Sequence, residues 1–294
     1  MRLSVIVPSL AGDVPESLRR QVAGVADVEL VVVAGVRPVG KARNEGLDRA
    51  RGDYVAWVDS DDEVAEDWLS EILAAIARGP DVVIFDAKTE GWACLENLVY
   101  GGTGGPLPVA QVVRDAYENR RLQGHLVRVV SKRQLWKGLR FETGIAAWED
   151  FLLLPQVLLR AASAFYVPKL LYRYVSRPGS AMNGLDSAGR LDNAETAIRR
   201  WREAPSECRQ AAVRGSVVGV YDSLLTLALD SHCRLDAAQA ARARRCRRFL
   251  LRRCWGAGLG LHALVRHVLA GLDIWALQRL AHWYQFTYKP GRRK

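Results

Sequence analysis

The chain has 294 residues, 49% hydrophobic and 25% charged, with a net charge of +10. That is chain enough for about two domains with a full core. The balance excludes a disordered chain, a collagen-like repeat and a multi-span membrane protein.

Residues 2–8 open with a short apolar run ending in Pro8, and 28–34, 53–58 and 81–85 repeat the pattern. Each is rich in β-branched residues and about as long as a buried strand. Helical patterns at 15–25, 41–50 and 65–78 lie between them. Strands alternating with helices predict an α/β layer with a mainly parallel sheet and right-handed crossovers. Residues 101–108 are a Gly/Pro loop. A helix follows at 109–119, then a strand near 125–130, a helix over 149–162 and a strand over 164–175. Beyond 187 the patterns are only helical, at 187–203, 207–231, 236–254 and 258–285, so the boundary falls at 180–190. No repeat of solenoid period occurs.

Three motifs carry chemistry. Asp59-Ser60-Asp61-Asp62 follows the third strand, and ligands of such sheets bind at the carboxyl ends of strands. Asp59 and Asp61 are two apart and suit Mg²⁺ or Mn²⁺, which bridge to substrate phosphates. The same residues also read as an acidic cap on a helix starting near Ala65. Lys41 and Arg43 stand at a helix start, a place that favours anions such as a diphosphate, or they are ordinary basic residues on a solvated helix. Trp148-Glu149-Asp150 heads an apolar helix. A carboxylate beside an aromatic suits a general base; a helix N-cap with Trp148 as a hydrophobic staple explains the motif equally well.

Taken in order, these pieces resemble family 2 glycosyltransferases. The matching stretches are Ser4-Val5-Ile6-Val7-Pro8-Ser9, Ala42-Arg43-Asn44, Gly52-Asp53-Tyr54-Val55-Ala56-Trp57-Val58-Asp59-Ser60-Asp61-Asp62, Leu139-Arg140-Phe141-Glu142, Trp148-Glu149-Asp150, Leu171-Tyr172-Arg173-Tyr174 and Arg177-Pro178-Gly179-Ser180-Ala181. The resemblance covers residues 1–182. It implies a GT-A fold (Rossmann-like, a mainly parallel sheet flanked by helices) for a nucleotide-sugar-binding and catalytic domain, with residues 183–294 as a basic α-helical extension. It further implies that Pro8, Lys41, Arg43 and Asp59 line the donor, and that Asp61 binds a divalent cation, Mn²⁺ or Mg²⁺. Asp150 would be the base of an inverting transfer to a glycan or lipid-linked acceptor, with Asp62, Trp148 and Glu149 as acceptor or supporting residues. A UDP-sugar is the family's usual donor. One departure stands out. The acidic turn that usually follows the second strand is replaced by Val33-Ala34-Gly35-Val36-Arg37-Pro38, and a following helix and strand are missing. This leaves a degenerate, non-catalytic scaffold subunit as the alternative.

Five cysteines, Cys94, Cys208, Cys233, Cys246 and Cys254, form no CxxC pair. An odd, scattered set argues against a disulfide framework and for a reducing cytoplasm. No signal peptide is evident at the first residues. Residues 232–294 hold 14 Lys/Arg against two Asp/Glu, whereas residues 1–231 hold 28 against 30. This basic segment, with Trp255, Trp275 and Trp283, suits the anionic inner face of a cell membrane. It also suits a helical extension packed on the catalytic domain. Nucleic acid ranks third, because no recognition motif accompanies the arginines. His125, His232, His262, His267 and His282 show no metal-ligand spacing; His125 could line the acceptor cleft, but an ordinary structural histidine is the preferred reading.

Overall fold

A computed structural model of the chain describes residues 1–90, 97–118, 121–122, 125–145, 147–175, 185–229 and 234–272. The Arg177–Ala181 motif, Cys94, Cys233, His232, His282, Trp275 and Trp283 lie outside these residues. The chain divides into two compact units, Met1–Asn183 and Gly184–Lys294.

The first unit runs β1 (Leu3–Ser9), α1 (Glu16–Val22), β2 (Val28–Ala34), α2 (Val39–Arg49), β3 (Tyr54–Trp57), β4 (Glu63–Val64), α3 (Trp68–Ile76), β5 (Val82–Glu90), β6 (Gly105–Leu107), α4 (Val109–Glu118), β7 (Val129–Lys132), α5 (Glu149–Leu158) and β8 (Ala164–Val175). The sheet order is β2-β1-β3-β7-β5-β8-β4, with β6 also on β8. Its long ladders, β1 with β2, β1 with β3 and β5 with β8, are parallel. All seven residues of β1 are buried, as expected of a strand covered on both faces. Pro8 still pairs with Val33 of β2, but the ladder to β3 stops at Ile6 and Trp57. Pro8 has no N–H to extend it, so the sheet opens there.

Local differences from the sequence reading have local causes. The predicted helix over 65–78 begins only at Trp68, because Glu63 and Val64 pair with Arg173 and Tyr172 as an edge strand. The strand predicted near 125–130 is a 3₁₀ turn, Leu126–Arg128, running into β7. β7 is antiparallel to both β3 and β5, in the middle of the sheet. Gly104 and Gly105 adopt positive φ, at 82° and 104°, and let the Gly/Pro loop add β6 to β8.

α2 lies close on β1 because its inward positions are small. A methyl at Gly46 would run into Ile6, and one at Gly40 into the Glu142 carbonyl. Asn44 fixes the other side of this helix: its Nδ2 donates to the Phe141 carbonyl at 2.9 Å and its Oδ1 accepts from the Phe141 N–H at 2.8 Å. Phe141 joins Trp57 and Trp136 in a cluster with centroids 5.3–5.6 Å apart. Two of the sequence motifs thus meet through hydrogen bonds between the Asn44 side chain and the Phe141 backbone.

The second unit contains α6 (Ser187–Glu203), α7 (Arg209–Leu229), α8 (Ala237–Arg253) and α9 (Leu261–Leu272). Asp186 caps α6 by accepting from the Gly189 N–H at 2.8 Å. Asp236 and Gln239 form a reciprocal capping box on α8. Arg242 of α8 pairs with Asp192 and Glu195 of α6. Cys208, Cys246 and Cys254 are buried free thiols. Among the described residues, no helix is long and apolar enough to cross a membrane.

Candidate active site

Asp59–Asp62 form the turn between β3 and β4, so they cap no helix; Asp67 stands at the start of α3. The turn closes with the Asp62 N–H donating to the Asp59 carbonyl at 3.2 Å. β8 then clamps it. The Tyr172 hydroxyl donates to Asp62 Oδ2 at 2.7 Å and accepts from the Asp59 N–H at 3.1 Å. The Val175 N–H donates to Asp62 Oδ1 at 2.8 Å. Asp62 is 4% exposed. Burial pushes its carboxyl up to about 7 and Asp59 adds to the rise, against the Tyr172 hydrogen bond. Asp62 therefore anchors the turn, while Asp59 and Asp61 stay half-buried.

Arg43 projects from α2 between two carboxylates. Its Nη2 donates to Asp59 Oδ1 at 3.1 Å, and its Nη1 pairs with Glu149 Oε1. The side chain is 6% exposed. Burial opposes its charge, but Glu149, Asp59 and Asp150 more than offset this and hold the guanidinium protonated. Phe141 supplies an aromatic face 5.7 Å from the guanidinium carbon. One side chain thus joins the three sequence motifs, the helix start, the acidic turn and the head of α5.

Glu149 and Asp150 are neighbours with different surroundings. Glu149 is 3% exposed. Burial pushes it up to about 7, with Arg43 opposing and Asp150 adding. Asp150 is half-buried, and its Oδ1 accepts from the Phe151 N–H at 2.7 Å. It is thus held at the first turn of α5. Trp148 precedes them in the left-handed region, at φ 69° and ψ 17°, the one non-glycine residue with positive φ among the described residues. Such a conformation costs about 1–3 kcal/mol and persists only when surroundings enforce it; here the Trp148 ring packs 5.0 Å from Phe151.

His125 and Tyr174 complete the surroundings, their rings 6.0 Å apart and edge to face. Burial raises the Tyr174 hydroxyl, and so do Asp59, Asp62, Asp150 and Asp61 in turn. Burial depresses His125 to about 4, with Arg128 adding and Asp150 and Asp59 opposing. His125 therefore shares the field of the site carboxylates, although the sequence left it outside the candidate catalytic set. No spacing rule ties it to them; only the 3₁₀ turn after it does. Arg128 pins that turn, donating from Nε to the Phe85 carbonyl and from Nη1 to the Arg121 carbonyl, each at 3.1 Å.

Lys41 is exposed on the first turn of α2. Residues 35–38 alone separate β2 from α2, and none is acidic. The Gly35 N–H donates to the Ser9 carbonyl at 3.0 Å, closing this short turn beside Pro8.

Among the described residues, no group of three or more His, Cys, Asp or Glu is posed to hold a metal unaided. The donor set suits a different arrangement. Asp59, Glu149 and Asp150 act on one guanidinium, and Asp61 and Asp62 share the turn of Asp59, an excess of hard oxygen ligands. Mg²⁺ and Mn²⁺ are commonly held by one or two carboxylates together with substrate phosphates, and Asp61 with Asp59 fits that role.

The model of glycosyl transferase family 2 matches residues 15–98. The succinoglycan biosynthesis protein ExoO of Rhizobium meliloti is 28% identical over 211 residues, covering 66% of this chain and 57% of its own length. Glycosyltransferase GlyA of Streptococcus pneumoniae is 27% identical over 148 residues, covering 47% of this chain and 21% of its own. The chain thus spans about half or less of the length of these curated relatives. Residues 1–349 of S. aureus TarS, solved in complex with UDP-GlcNAc, superpose with a TM-score of 0.67 at 17% identity, over 98% of this chain and 93% of that one. The same TarS fragment with UDP gives a TM-score of 0.65. These structures share the fold, a mostly parallel sheet flanked by helices with a helical region after it. Residues 15–98 thus match glycosyl transferase family 2, and the chain has a GT-A fold like that of these structures.

Proposed function

We propose that the chain is an inverting glycosyltransferase that moves a sugar from a nucleotide-sugar, of which a UDP-sugar is the first candidate, to a glycan or lipid-linked acceptor of a cell-surface polysaccharide. It works in the cytoplasm, peripherally on the inner face of the cell membrane. The observation that carries this reading is Arg43, which joins Asp59 of the strand-end turn to Glu149, next to Asp150. A donor-side carboxylate and a candidate base are thereby held in one rigid unit.

Asp150 is the general base. It takes the proton of the acceptor hydroxyl as that oxygen bonds to the anomeric carbon. The bond from that carbon to the diphosphate breaks on the opposite face and its electron pair leaves with the diphosphate, so the configuration inverts. Asp59 holds the ribose side of the donor, with Arg43 fixing its position. Lys41 faces the phosphates, and Pro8 keeps the end of β1 open to the nucleotide. Asp62 holds the turn, while Glu149 and Trp148 fix the backbone that presents Asp150. A divalent cation, when bound through Asp61, supplies positive charge to the leaving diphosphate.

The test is turnover of UDP-, GDP-, dTDP- and CDP-sugars by wild type and Asp150→Asn. A general base is worth about 10²–10⁴-fold in rate, so Asp150→Asn should lose transfer by that factor and keep its affinity for the nucleotide. Equal turnover by the variant, or loss of nucleotide binding in a folded variant, would remove Asp150 from this role. The short acid-free 35–38 connection favours one other reading, a degenerate transferase that serves as a binding or scaffold subunit.

A further inference from the structure

The second unit carries a feature that the transfer chemistry does not use. α8 and α9 fold back on each other: Arg247 Nε donates to the Gly271 carbonyl at 3.1 Å, and Gly271 lies close against Leu251. The connecting turn holds a 3₁₀ segment, Cys254–Gly256, and Gly258 at φ 62°. α7 holds this turn in place. Gln210 donates to the Gly256 carbonyl at 2.8 Å and Arg214 to the Gly258 carbonyl at 2.6 Å. Cys254 and Ala257 point inward and are buried. Yet Trp255 is 70% exposed, Leu261 75% and Val265 49%. The turn is anchored by its backbone while it and the first turns of α9 present three large apolar side chains to solvent.

Arginines flank that tip. Arg244, Arg248 and Arg252 are exposed and spaced four apart, one row along α8. Like charges at this spacing repel, and α8 contains no acidic residue. The acidic partners on α6 are taken by Arg242 and Arg245. Among the described residues, Arg244, Arg248 and Arg252 meet no carboxylate.

We propose that the tip of the α8–α9 hairpin docks on an anionic lipid bilayer, with Trp255, Leu261 and Val265 entering the interface and Arg244, Arg248 and Arg252 meeting the headgroups. The surface matches that partner in both respects. A bilayer interface takes up apolar side chains and adds electrostatic attraction to each cation near an anionic leaflet. A nucleic acid would use the arginines but gives no role to an exposed Trp255 on the braced turn and exposed Leu261 and Val265 at the start of α9. The proposal deepens the peripheral placement given above and rests on it, but not on transfer itself.

Co-sedimentation of the full chain tests it, with vesicles of phosphatidylcholine alone and of phosphatidylcholine with about one-quarter phosphatidylglycerol. Binding is expected on the anionic vesicles only. Arg244→Gln/Arg248→Gln/Arg252→Gln should weaken it by about a hundredfold, the change three surface cations bring. Trp255→Ser/Leu261→Ser should weaken it by about tenfold or more through lost apolar burial. All six changed or retained side chains are exposed, so the thermal midpoints should match wild type. No binding to anionic vesicles would overturn the proposal. So would vesicle binding unchanged in the Trp255/Leu261 variant, or arginine-dependent binding of DNA or RNA without vesicle binding. UDP affinity, measured on the same samples, belongs to the first unit, so its loss would count against the transferase reading and leave the docking result standing.

Discussion

Arg43 and Arg248 are the same side chain in opposite settings. Arg43 is buried in the first unit between Asp59 and Glu149, with Asp150 acting on it as well. Arg248 stands in the open on the second unit, in a row of like charges. A buried cation must be matched, because an unpaired charge out of water costs several kcal/mol. An exposed one costs little and remains available for a partner. Arg43 of the first unit is therefore committed to internal geometry, whereas Arg244, Arg248 and Arg252 of the second stay exposed.

Substituting one member of each set is the sharpest way to break this contrast. Arg43→Ala leaves Glu149 and Asp59 without their cation and should cost about 3–5 kcal/mol of stability, read as a fall in the urea midpoint. Nucleotide affinity should fall with it. Replacing both partners, Arg43→Met with Glu149→Leu, should recover much of the stability but not the affinity, because Asp59 then lacks its anchor. Recovery of both would mean that Arg43 serves the fold alone.

Tyr172→Phe tests the clamp on the acidic turn. It removes the donor to Asp62 and the acceptor for the Asp59 N–H, and should cost about 1–3 kcal/mol. A variant as stable as wild type would show that the turn is held by the backbone alone.

pH separates two buried groups of opposite sign. Glu149 sits above its unfolded value, at about 7. Its contribution is present below about 4.5 and is lost as pH rises through 7. His125 sits below its unfolded value, at about 4. Its contribution is present above about 6.5 and is lost as pH falls through 4. Glu149→Gln should therefore flatten the loss of stability between pH 5 and about 7.5, and His125→Gln the loss toward pH 4. Denaturant midpoints across that range check both, and an unchanged slope in either variant would contradict the burial assigned to its residue.

Arg248→Ala should give the smallest effect, within about 0.5 kcal/mol of wild type. A large loss would show that the exposed row is paired after all.

The legibility of the molecule follows the same division between local and distant causes. The bounds of β2 and α6 match residues 28–34 and 187–203 read from the sequence, because uniform β-branched or helical runs carry their own signal. The two-residue β4 has no such run and exists only through Arg173 and Tyr172 on the facing strand. The antiparallel setting of β7 is likewise decided by its neighbours, not by its own residues. In the site, the Asp59–Asp62 and Trp148–Asp150 motifs are visible as chemistry in the sequence. The bond from Arg43 to Glu149 is not, because it links residues 106 apart in sequence. The family resemblance puts Arg43 near the nucleotide base or phosphates; the fold adds that its guanidinium pairs with two carboxylates. His125 reached the site through the 3₁₀ turn that Arg128 pins, and no periodicity announces such a turn.

Nucleotide binding that depends on a cation is the most direct test, because the short connection from β2 to α2 offers the nucleobase no carboxylate. The thermal midpoint should be measured with UDP, with and without Mn²⁺, for wild type and Asp61→Ala. A ligand at 100 times its dissociation constant adds about 2.7 kcal/mol to the native state. The transferase account predicts stabilisation of wild type by UDP with Mn²⁺, a weaker effect without the cation, and no difference between the two conditions in Asp61→Ala. No stabilisation by UDP, GDP, dTDP or CDP with Mn²⁺ would contradict it and leave the scaffold reading in its place.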